Sequence, residues 1–377
     1  MNNKKIILKN INYVDVEKEK VNYDVDILIE DEIITNIGKT LESSDSEIIQ
    51  CTNLFAVPSF IDMHVHITFN PYCDGDMSLK YVPTNLTEAA QKGICLVRDT
   101  GTSSHWLQSD ILNSLPQIPL PDIIMSGEPL CVENGHGISY GIVLEYNSIS
   151  QWISAHKKQG CEWIKIMNDP ENHSERFIKK VVDEAHKNGL KVACHVFRKK
   201  GIELAIASGC DSIEHVVPIE YGDERSLRPY YVPTIYSAWT SCQKSYLDTV
   251  NEEDASYLIE WYELLKKHFS YAIRNNIKIL CGTDAGCCPS SFKDIVYEIK
   301  TLHSMGMSRI KALQCATIDS AKCLKHDNLY GSIKMGKYAN MIVVNSNPLV
   351  DLDVLNFPCL IYLKGKKIRD EVSGPWN

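Results

Sequence analysis

The segment FIDMHVHITF, residues 60–69, places His64 and His66 two positions apart in an otherwise apolar run. In a β-strand, residues i and i+2 point to the same face, so the two imidazoles would lie side by side. Imidazole is a common protein ligand of metal ions, and a pair of imidazoles therefore indicates a metal site. A solvated or hydrogen-bonded histidine pair would have the same local sequence, so this segment alone leaves both interpretations open.

The composition is that of a soluble globular protein. Of the 377 residues, 44% are apolar and 23% are charged, as in ordinary globular chains. No apolar run reaches the roughly 18 residues of a transmembrane helix. The amino-terminal segment MNNKKIILKNINYVD lacks the continuous apolar core of a signal peptide. We therefore expect a cytoplasmic protein that has no membrane partner.

Charge and cysteine usage exclude further classes. The formal net charge of −9 and the lack of a long basic run argue against a nucleic-acid partner. The 14 cysteines are scattered and form no CxxC pair, so we expect most to be reduced and buried. The exception is GCC at 286–288, and the sequence leaves the roles of Cys287 and Cys288 open.

Four segments repeat one pattern, in which an amphipathic stretch is followed by a glycine and a short apolar run. They are LTEAAQKG–ICLVRDTG, ISQWISAHKKQG–CEWIKIM, FIKKVVDEAHKNG–LKVACHV and IELAIASG–CDSIEHV. A glycine after the last helical turn is typical of a left-handed C-cap, and alternation of helices with buried strands indicates a parallel sheet. Four more apolar segments, AVPSFIDMHVH, DIIMSGEP, YVPTIYS and IKILCGTDAG, bring the candidate strands to eight. Eight such units predict a TIM (β/α)8 barrel, which takes roughly 250 residues.

Ionisable residues end five of these predicted strands. They are His64 and His66 on the first, Lys165 on the fourth, His195 on the fifth, His215 on the sixth and Asp284 on the eighth. Active sites of TIM barrels lie at the carboxyl ends of the strands. Convergence of six such groups on one mouth favours a metal site over six separate structural roles.

The two ends of the chain have a different pattern. Residues 5–35 and 330–368 alternate between apolar and polar side chains, as half-exposed strands do. Strands from both ends can pair beside the barrel. We therefore predict a small β-sandwich domain from residues 1–56 and 331–377, and a barrel domain over 57–330.

The motifs VPSFIDMHVH, EWIKIM, VACHV, DSIEHV, VPT and CGTDAG occur in an order that resembles the amidohydrolase superfamily. The segment GSIKMGKYANMIVVNSNPL is similar to the carboxyl-terminal β-segment of that superfamily, so the resemblance covers almost the whole chain. The motifs VRDTG, GEPLCVENGHG, HVFRKKGIELAIASGCDSIEH and VPTIY are most similar to its imidazolonepropionase-like and prolidase-like branch.

The resemblance implies a site for two divalent metal ions. The implied ligands are His64, His66 and Asp284 for the first ion, His195 and His215 for the second, and a carboxylated Lys165 as the bridge. Histidine and carboxylate donors at a hydrolytic site without redox chemistry favour zinc. The carbamate rests on the resemblance alone, because an unmodified lysine is protonated at neutral pH and repels a cation. A barrel lysine paired with a carboxylate is the alternative.

The resemblance also implies a mechanism in which a hydroxide shared by the two ions attacks a carbonyl and Asp284 acts as the general base. The developing oxyanion needs further donors. His136 in ENGHGISYG and Tyr236 after VPT are the candidates for this catalytic role and for substrate binding. For Tyr236, packing on the barrel rim is the alternative.

Two arginines near the predicted mouth carry further expectations. Arg198 in HVFRKKG could pair with a substrate carboxylate through two hydrogen bonds, or it could be a solvated rim residue. Arg98 and Asp99 in VRDTG are expected to form an internal ion pair.

The function predicted from these residues is hydrolysis of an amide C–N bond in a dipeptide or an N-acyl amino acid. Opening of a cyclic amide needs the same chemistry and stays open as the alternative. Ring deaminases of the superfamily carry HxxE after the fifth strand, whereas residues 195–198 read HVFR. The acidic residue is absent, which argues against deamination of that kind. A non-catalytic scaffold would normally have lost ligands that are all present here. We expect a small-molecule substrate and a homo-oligomer, and the loops do not identify the substrate.

Overall fold

The computed structural model describes residues 5–73, 75–102, 115–168, 173–218, 227–287 and 289–372. The strands are β1 (Lys5–Asp15), β2 (Lys20–Glu30), β3 (Ile33–Gly38), β4 (Ser46–Gln50), β5 (Phe55–Pro58), β6 (Phe60–Val65), β7 (Ile94–Asp99), β8 (Asp122–Met125), β9 (Leu130–Cys131), β10 (Ile142–Val143), β11 (Trp163–Met167), β12 (Lys191–His195), β13 (Ser212–Glu214), β14 (Tyr230–Val232), β15 (Met341–Val344), β16 (Leu360–Leu363) and β17 (Lys366–Asp370). The α-helices are α1 (Val82–Gln91), α2 (Ile149–Lys158), α3 (Glu175–Lys187), α4 (Lys199–Ser208), α5 (Ile235–Ser241), α6 (Lys244–Leu247), α7 (Glu252–Arg274), α8 (Ile295–Ser304), α9 (Arg309–Cys315) and α10 (Ile318–Leu324).

Strands from both ends of the chain form one continuous sheet. Its order is β17-β16-β15-β5-β1-β2-β3, and β4 pairs in parallel with β1. The two ends meet where β15 runs antiparallel to β5, with Met341 opposite Pro58 and Val344 opposite Phe55. Leu8 and Leu360 belong to the separate apolar core of this sheet. The pairing expected for the terminal strands is therefore present.

The remaining strands are parallel. One sheet has the order β6-β7-β8, and the other has the order β10-β9-β11-β12-β13-β14. The segment 278–285 lies between them, since the Leu280 amide donates to the Tyr231 carbonyl and the Met63 amide donates to the Cys281 carbonyl. On the other side, the Glu162 amide donates to the Met125 carbonyl. Backbone hydrogen bonds thus link the two sheets in two places.

The repeated glycines have the conformation that the sequence predicts. Gly209 caps α4 with φ 86°, and Gly189 follows the C-cap of α3 with φ 72°. Glycine adopts such left-handed angles without the steric cost of a Cβ, so the chain can leave each helix and enter the next strand. Among the helices of the described residues, none combines the length and apolar character needed to cross a bilayer.

Candidate metal centre

The ends of the parallel strands carry the six ligand candidates. They are His64 on β6, His66 directly after β6, Lys165 on β11, His195 at the end of β12, His215 directly after β13 and Asp284 in the segment 278–285. Parallel strands share one direction, so their carboxyl ends lie at the same edge of the fold. The structure brings all six residues together.

Asp284 lies between the two histidines of the first motif. Its Oδ1 atom is 3.5 Å from His64 Nε2 and 3.4 Å from His66 Nε2. Lys165 Nζ approaches the same nitrogen, 3.4 Å from His64 Nε2. His64 thus presents one nitrogen to both a carboxylate and a lysine.

The remaining histidines complete the cluster. The ring centroids of His64 and His215 are 4.6 Å apart, and those of His195 and His215 are 4.5 Å apart. His136, from the loop after β9, stacks on His195 with centroids 4.6 Å apart and planes inclined by 16°. His136 therefore lies beside the cluster, and its catalytic and substrate-binding roles stay predictions.

Left-handed backbone angles turn side chains off the strand ends. His215, Thr234 and Asp284 have φ values of 69°, 47° and 60°. Each such angle in a non-glycine residue costs on the order of 1–3 kcal/mol, and such residues concentrate at functional sites. Thr234 also contacts the cluster, since its hydroxyl lies 2.9 Å from His215 Nδ1.

A buried acidic residue orients His64. Glu214 Oε2 lies 2.7 Å from His64 Nδ1, and both side chains are fully buried. When Nδ1 carries the proton, its N–H donates a hydrogen bond to the carboxylate, and the lone pair of Nε2 faces Asp284 and Lys165. A carboxylate behind a histidine is the usual arrangement for a metal ligand. The sequence analysis missed Glu214, although its place directly before His215 on a buried strand was a usable signal.

The prediction of an ion pair between Arg98 and Asp99 is wrong. Arg98 Nη2 instead donates to both oxygens of Glu214 at 2.9 Å, and its Nε donates to the Met63 carbonyl at 2.6 Å. Asp99 accepts the backbone N–H of Ile67 at 3.1 Å. The reason is the two-residue period of a strand, because neighbouring residues of β7 point to opposite faces.

Burial controls the charge states in the cluster. It lowers the pKa values of His64, His195 and His215 well below their usual range, so these imidazoles are neutral, as metal binding requires. It also lowers the pKa of Lys165. Burial disfavours charge on His66 as well, but the neighbouring Cys287 and Asp284 outweigh it and raise the His66 pKa well above its usual value.

The donor atoms fit a divalent cation. The ligand atoms of His64, His215 and Asp284 all lie within 4.8 Å of one another. Within the described part of the chain, His195 Nε2 and Asp284 Oδ1 are buried and lack a hydrogen-bond partner. Buried polar atoms are almost always satisfied, and a bound cation would satisfy both. Neutral imidazoles with a carboxylate are donors that zinc and similar ions use.

Cys287, whose role the sequence leaves open, also lies beside the cluster. Its sulfur forms a group with the ligand atoms of His66 and Asp284, all within 4.8 Å of one another. Cys288 lies outside the described residues.

The other two substrate-site candidates lie in aromatic surroundings. The ring of Tyr236 stacks on Trp239 and Tyr297, with centroids 5.4 Å and 5.1 Å apart. Arg198 is exposed, and its guanidinium carbon is 5.2 Å from the centre of the Tyr257 ring. The contacts of Tyr236 agree with rim packing, and the catalytic and substrate-binding roles of both residues stay predictions.

Three comparisons place the fold and the site in context. The family model described as the Amidohydrolase family matches residues 55–367. Ochratoxinase from Aspergillus niger is 25% identical over 269 residues, which cover 66% of this chain and 53% of that protein. Imidazolonepropionase from Fusobacterium nucleatum is 19% identical over 386 residues, which cover 90% and 86%.

Among solved structures, a Xaa-Pro dipeptidase with bound methionine in its active site superimposes with a TM-score of 0.85. The superposition covers 97% of this chain and all of that one at 24% identity, and it shows a shared fold. Because the family match spans most of the sequence, this chain belongs to the amidohydrolase family, and its similarities support a hydrolase that acts on carbon–nitrogen bonds.

Proposed function

We propose that this protein is a binuclear metal-dependent hydrolase that cleaves an amide C–N bond in a dipeptide or an N-acyl amino acid. One observation carries the proposal, the convergence of the six ligand candidates, including Asp284, at the strand ends. The proposed ligands are His64, His66 and Asp284 for one ion, His195 and His215 for the other, and Lys165 between them. The prolidase-like fold neighbour supports the substrate class.

We also propose a closed (β/α)8 barrel over residues 57–330, with 1–56 and 331–377 as the second domain. The hydrogen bonds on both sides of the segment 278–285 support closure. The separate apolar core of the terminal sheet supports the second domain. A homo-oligomeric, cytoplasmic enzyme is the corresponding proposal for assembly and location.

Lys165 is proposed to carry a carbamate. Its amine is fully buried beside His64, where a protonated lysine would oppose a bound cation. The neutral amine adds to carbon dioxide, an N–C bond forms, and one proton is released. The product is an anionic oxygen donor that can reach two ions, whereas the free amine is a single neutral donor. Burial lowers the pKa of Lys165 and so favours the neutral amine that this reaction needs.

When bound, the two ions would lower the pKa of a water nucleophile and polarise the substrate carbonyl. Asp284 accepts a proton from the attacking water and returns it to the amide nitrogen as the C–N bond breaks. His136 stacks on His195 beside the cluster, and its proposed role is to donate a hydrogen bond to the developing oxyanion. The water thus supplies the hydroxyl of the new carboxyl group and the hydrogen of the new amine.

A cyclic amide is the second candidate substrate. Its opening needs the same base and the same polarised carbonyl, and the imidazolonepropionase similarity over most of the chain favours this candidate. The two proposals differ in the substrate and agree in the site.

The test is a substrate panel with purified enzyme supplied with zinc and bicarbonate. We expect cleavage of dipeptides or N-acyl amino acids, two zinc ions per chain by elemental analysis, and a carbamate carbon signal in ¹³C NMR after labelling with ¹³C-bicarbonate. Lys165→Ala should abolish that signal. Cleavage of cyclic amides alone would favour the second candidate. A single ion per chain or an unmodified amine would contradict the binuclear proposal.

A further inference from the structure

We propose that the thiolate of Cys287 is an additional ligand of the ion held by His66 and Asp284. The family resemblance implies only histidine, lysine and aspartate ligands, so it does not assign this donor. The inference rests on the proposed metal-dependent function and concerns the first of its two ion positions.

The distances permit one ion to contact all three residues. The ligand atoms of His66, Asp284 and Cys287 all lie within 4.8 Å of one another. Zinc bonds to nitrogen or oxygen are about 2.0–2.2 Å long and zinc bonds to sulfur about 2.3 Å, so two donors at the tetrahedral angle on one ion lie about 3.3–3.7 Å apart. His66 Nε2 and Asp284 Oδ1 already lie 3.4 Å apart, and a shift of the Cys287 side chain by about 1 Å would bring all three donors onto a single ion.

The backbone holds Cys287 against His66. The Cys287 amide donates to the Asp284 carbonyl at 3.1 Å, and the Ser290 amide donates to the Cys287 carbonyl at 2.8 Å. Gly286, directly before Cys287, has φ 102°, and a Cβ on it would lie 2.2 Å from the His66 carbonyl oxygen. Only glycine allows the chain to pass this close to His66. The turn thereby fixes the position from which the Cys287 side chain reaches the imidazole.

A second observation points to a cation at the same place. Asp284 Oδ1 is buried and lacks a hydrogen-bond partner among the described residues, although it lies 3.4 Å from His66 Nε2. An ion between these atoms and the sulfur would satisfy the carboxylate oxygen. Buried cysteines of the core differ, because Cys281 and Cys315 pack among apolar side chains, where a thiol is inert.

Binding through sulfur has a defined proton balance. The Cys287 S–H bond breaks, the proton goes to solvent, and the sulfur electron pair forms the bond to the divalent ion. A thiolate is a softer donor than imidazole or carboxylate, so it favours zinc, cadmium and cobalt over manganese. The chain would therefore select thiophilic ions more strongly than an all-nitrogen and oxygen site does.

The test is the spectrum of the cobalt-substituted protein. We expect a thiolate-to-cobalt charge-transfer band in the near ultraviolet, and in the zinc protein a sulfur neighbour at about 2.3 Å by X-ray absorption. Cys287→Ser should remove both signals. The matched control is Cys242→Ser, since Cys242 is also half-buried but donates to the Leu258 carbonyl, and this variant should keep both signals.

Ion selectivity gives a second measurement. The ratio of cadmium affinity to manganese affinity should fall at least about tenfold in Cys287→Ser and stay unchanged in Cys242→Ser. If Cys287→Ser does not fold, protection of Cys287 from alkylation by added cadmium in the wild type replaces the variant, and absence of protection overturns the inference.

The failures are distinguishable. Two ions per chain with only nitrogen and oxygen neighbours would overturn this inference and leave the proposed hydrolase intact. A charge-transfer band that survives Cys287→Ser and disappears in Cys288→Ser would also overturn it. A protein that binds no metal would overturn both proposals.

Discussion

Replacing Glu214 with glutamine should weaken both the fold and the metal site. Glu214 accepts hydrogen bonds from Arg98 through both oxygens, from the Ser212 hydroxyl and from His64 Nδ1. The side chains of Arg98, Glu214 and His64 have no exposed surface. Glutamine preserves the size of the side chain and removes the charge, so the substitution tests the ion pair with little change in packing.

The expected magnitude follows from this burial. Removing one partner of a buried ion pair costs about 3–5 kcal/mol, because the other charge is left uncompensated. The glutamine oxygen still accepts one bond from Arg98, which places the loss at the lower end, about 3 kcal/mol in the free energy of unfolding. Loss of the carboxylate behind His64 should also lower zinc affinity by about 10- to 100-fold.

The assay is urea unfolding of the metal-free protein, followed by circular dichroism and extrapolated linearly to water. Zinc affinity is measured separately by competition with a chromophoric chelator. The control is Asp183→Asn, which removes an exposed pair with Lys179 at 3.1 Å and should cost only about 0.3–0.5 kcal/mol. If Glu214→Gln were as mild as this control and zinc affinity were unchanged, the role assigned to Glu214 would be refuted.

Three further predictions test the site and its surroundings. Asp284→Asn should lower kcat by about 10²- to 10⁴-fold, because general-base help is lost. Its melting temperature should be almost unchanged, because asparagine also tolerates the φ of 60°, and near-full kcat with both metals bound would contradict the assignment of the base. Burial raises the pKa of Glu298 to about 8, so between about pH 5 and pH 8 the folded protein holds a proton that the unfolded chain has released. As the pH rises through that window, the unfolding free energy of the wild type should therefore fall relative to that of Glu298→Gln by up to about 1.4 kcal/mol per pH unit. Urea unfolding of both proteins at several pH values checks this. If the unfolding free energies of the two proteins changed with pH in parallel, the prediction would be wrong. Arg198→Ala should raise KM at least about tenfold for a substrate with a free carboxylate and much less for the corresponding carboxamide. The tenfold rise corresponds to the loss of one charge-assisted hydrogen bond of about 1.5 kcal/mol. Equal effects on both substrates, measured by steady-state kinetics, would count against a carboxylate-binding role.

The network behind the ligands shows where sequence reasoning reaches its limit. The pairing of Arg98 with Glu214 joins residues 116 positions apart. It depends on the register of strands β7 and β13 and on which face of each strand points inward. The adjacent, oppositely charged Arg98 and Asp99 suggest an ion pair from the sequence. The two-residue period of a strand instead points their side chains to opposite faces of the sheet. Tyr236 shows the same limit, because a residue just beyond a strand end can point to the mouth or to the rim.

The sequence by itself determined the parallel-strand architecture and the set of ligand candidates. Both depend on local patterns, namely the two-residue period that pairs His64 with His66 and the glycines that end helices before strands. Only the tertiary structure decided which groups touch: Glu214 behind His64, and Cys287 beside His66 and Asp284. These contacts join distant segments whose separation depends on strand register and on one close backbone approach at Gly286, where a Cβ would lie 2.2 Å from the His66 carbonyl oxygen. Local composition carries no information about such distances, because the packing of the whole fold sets them.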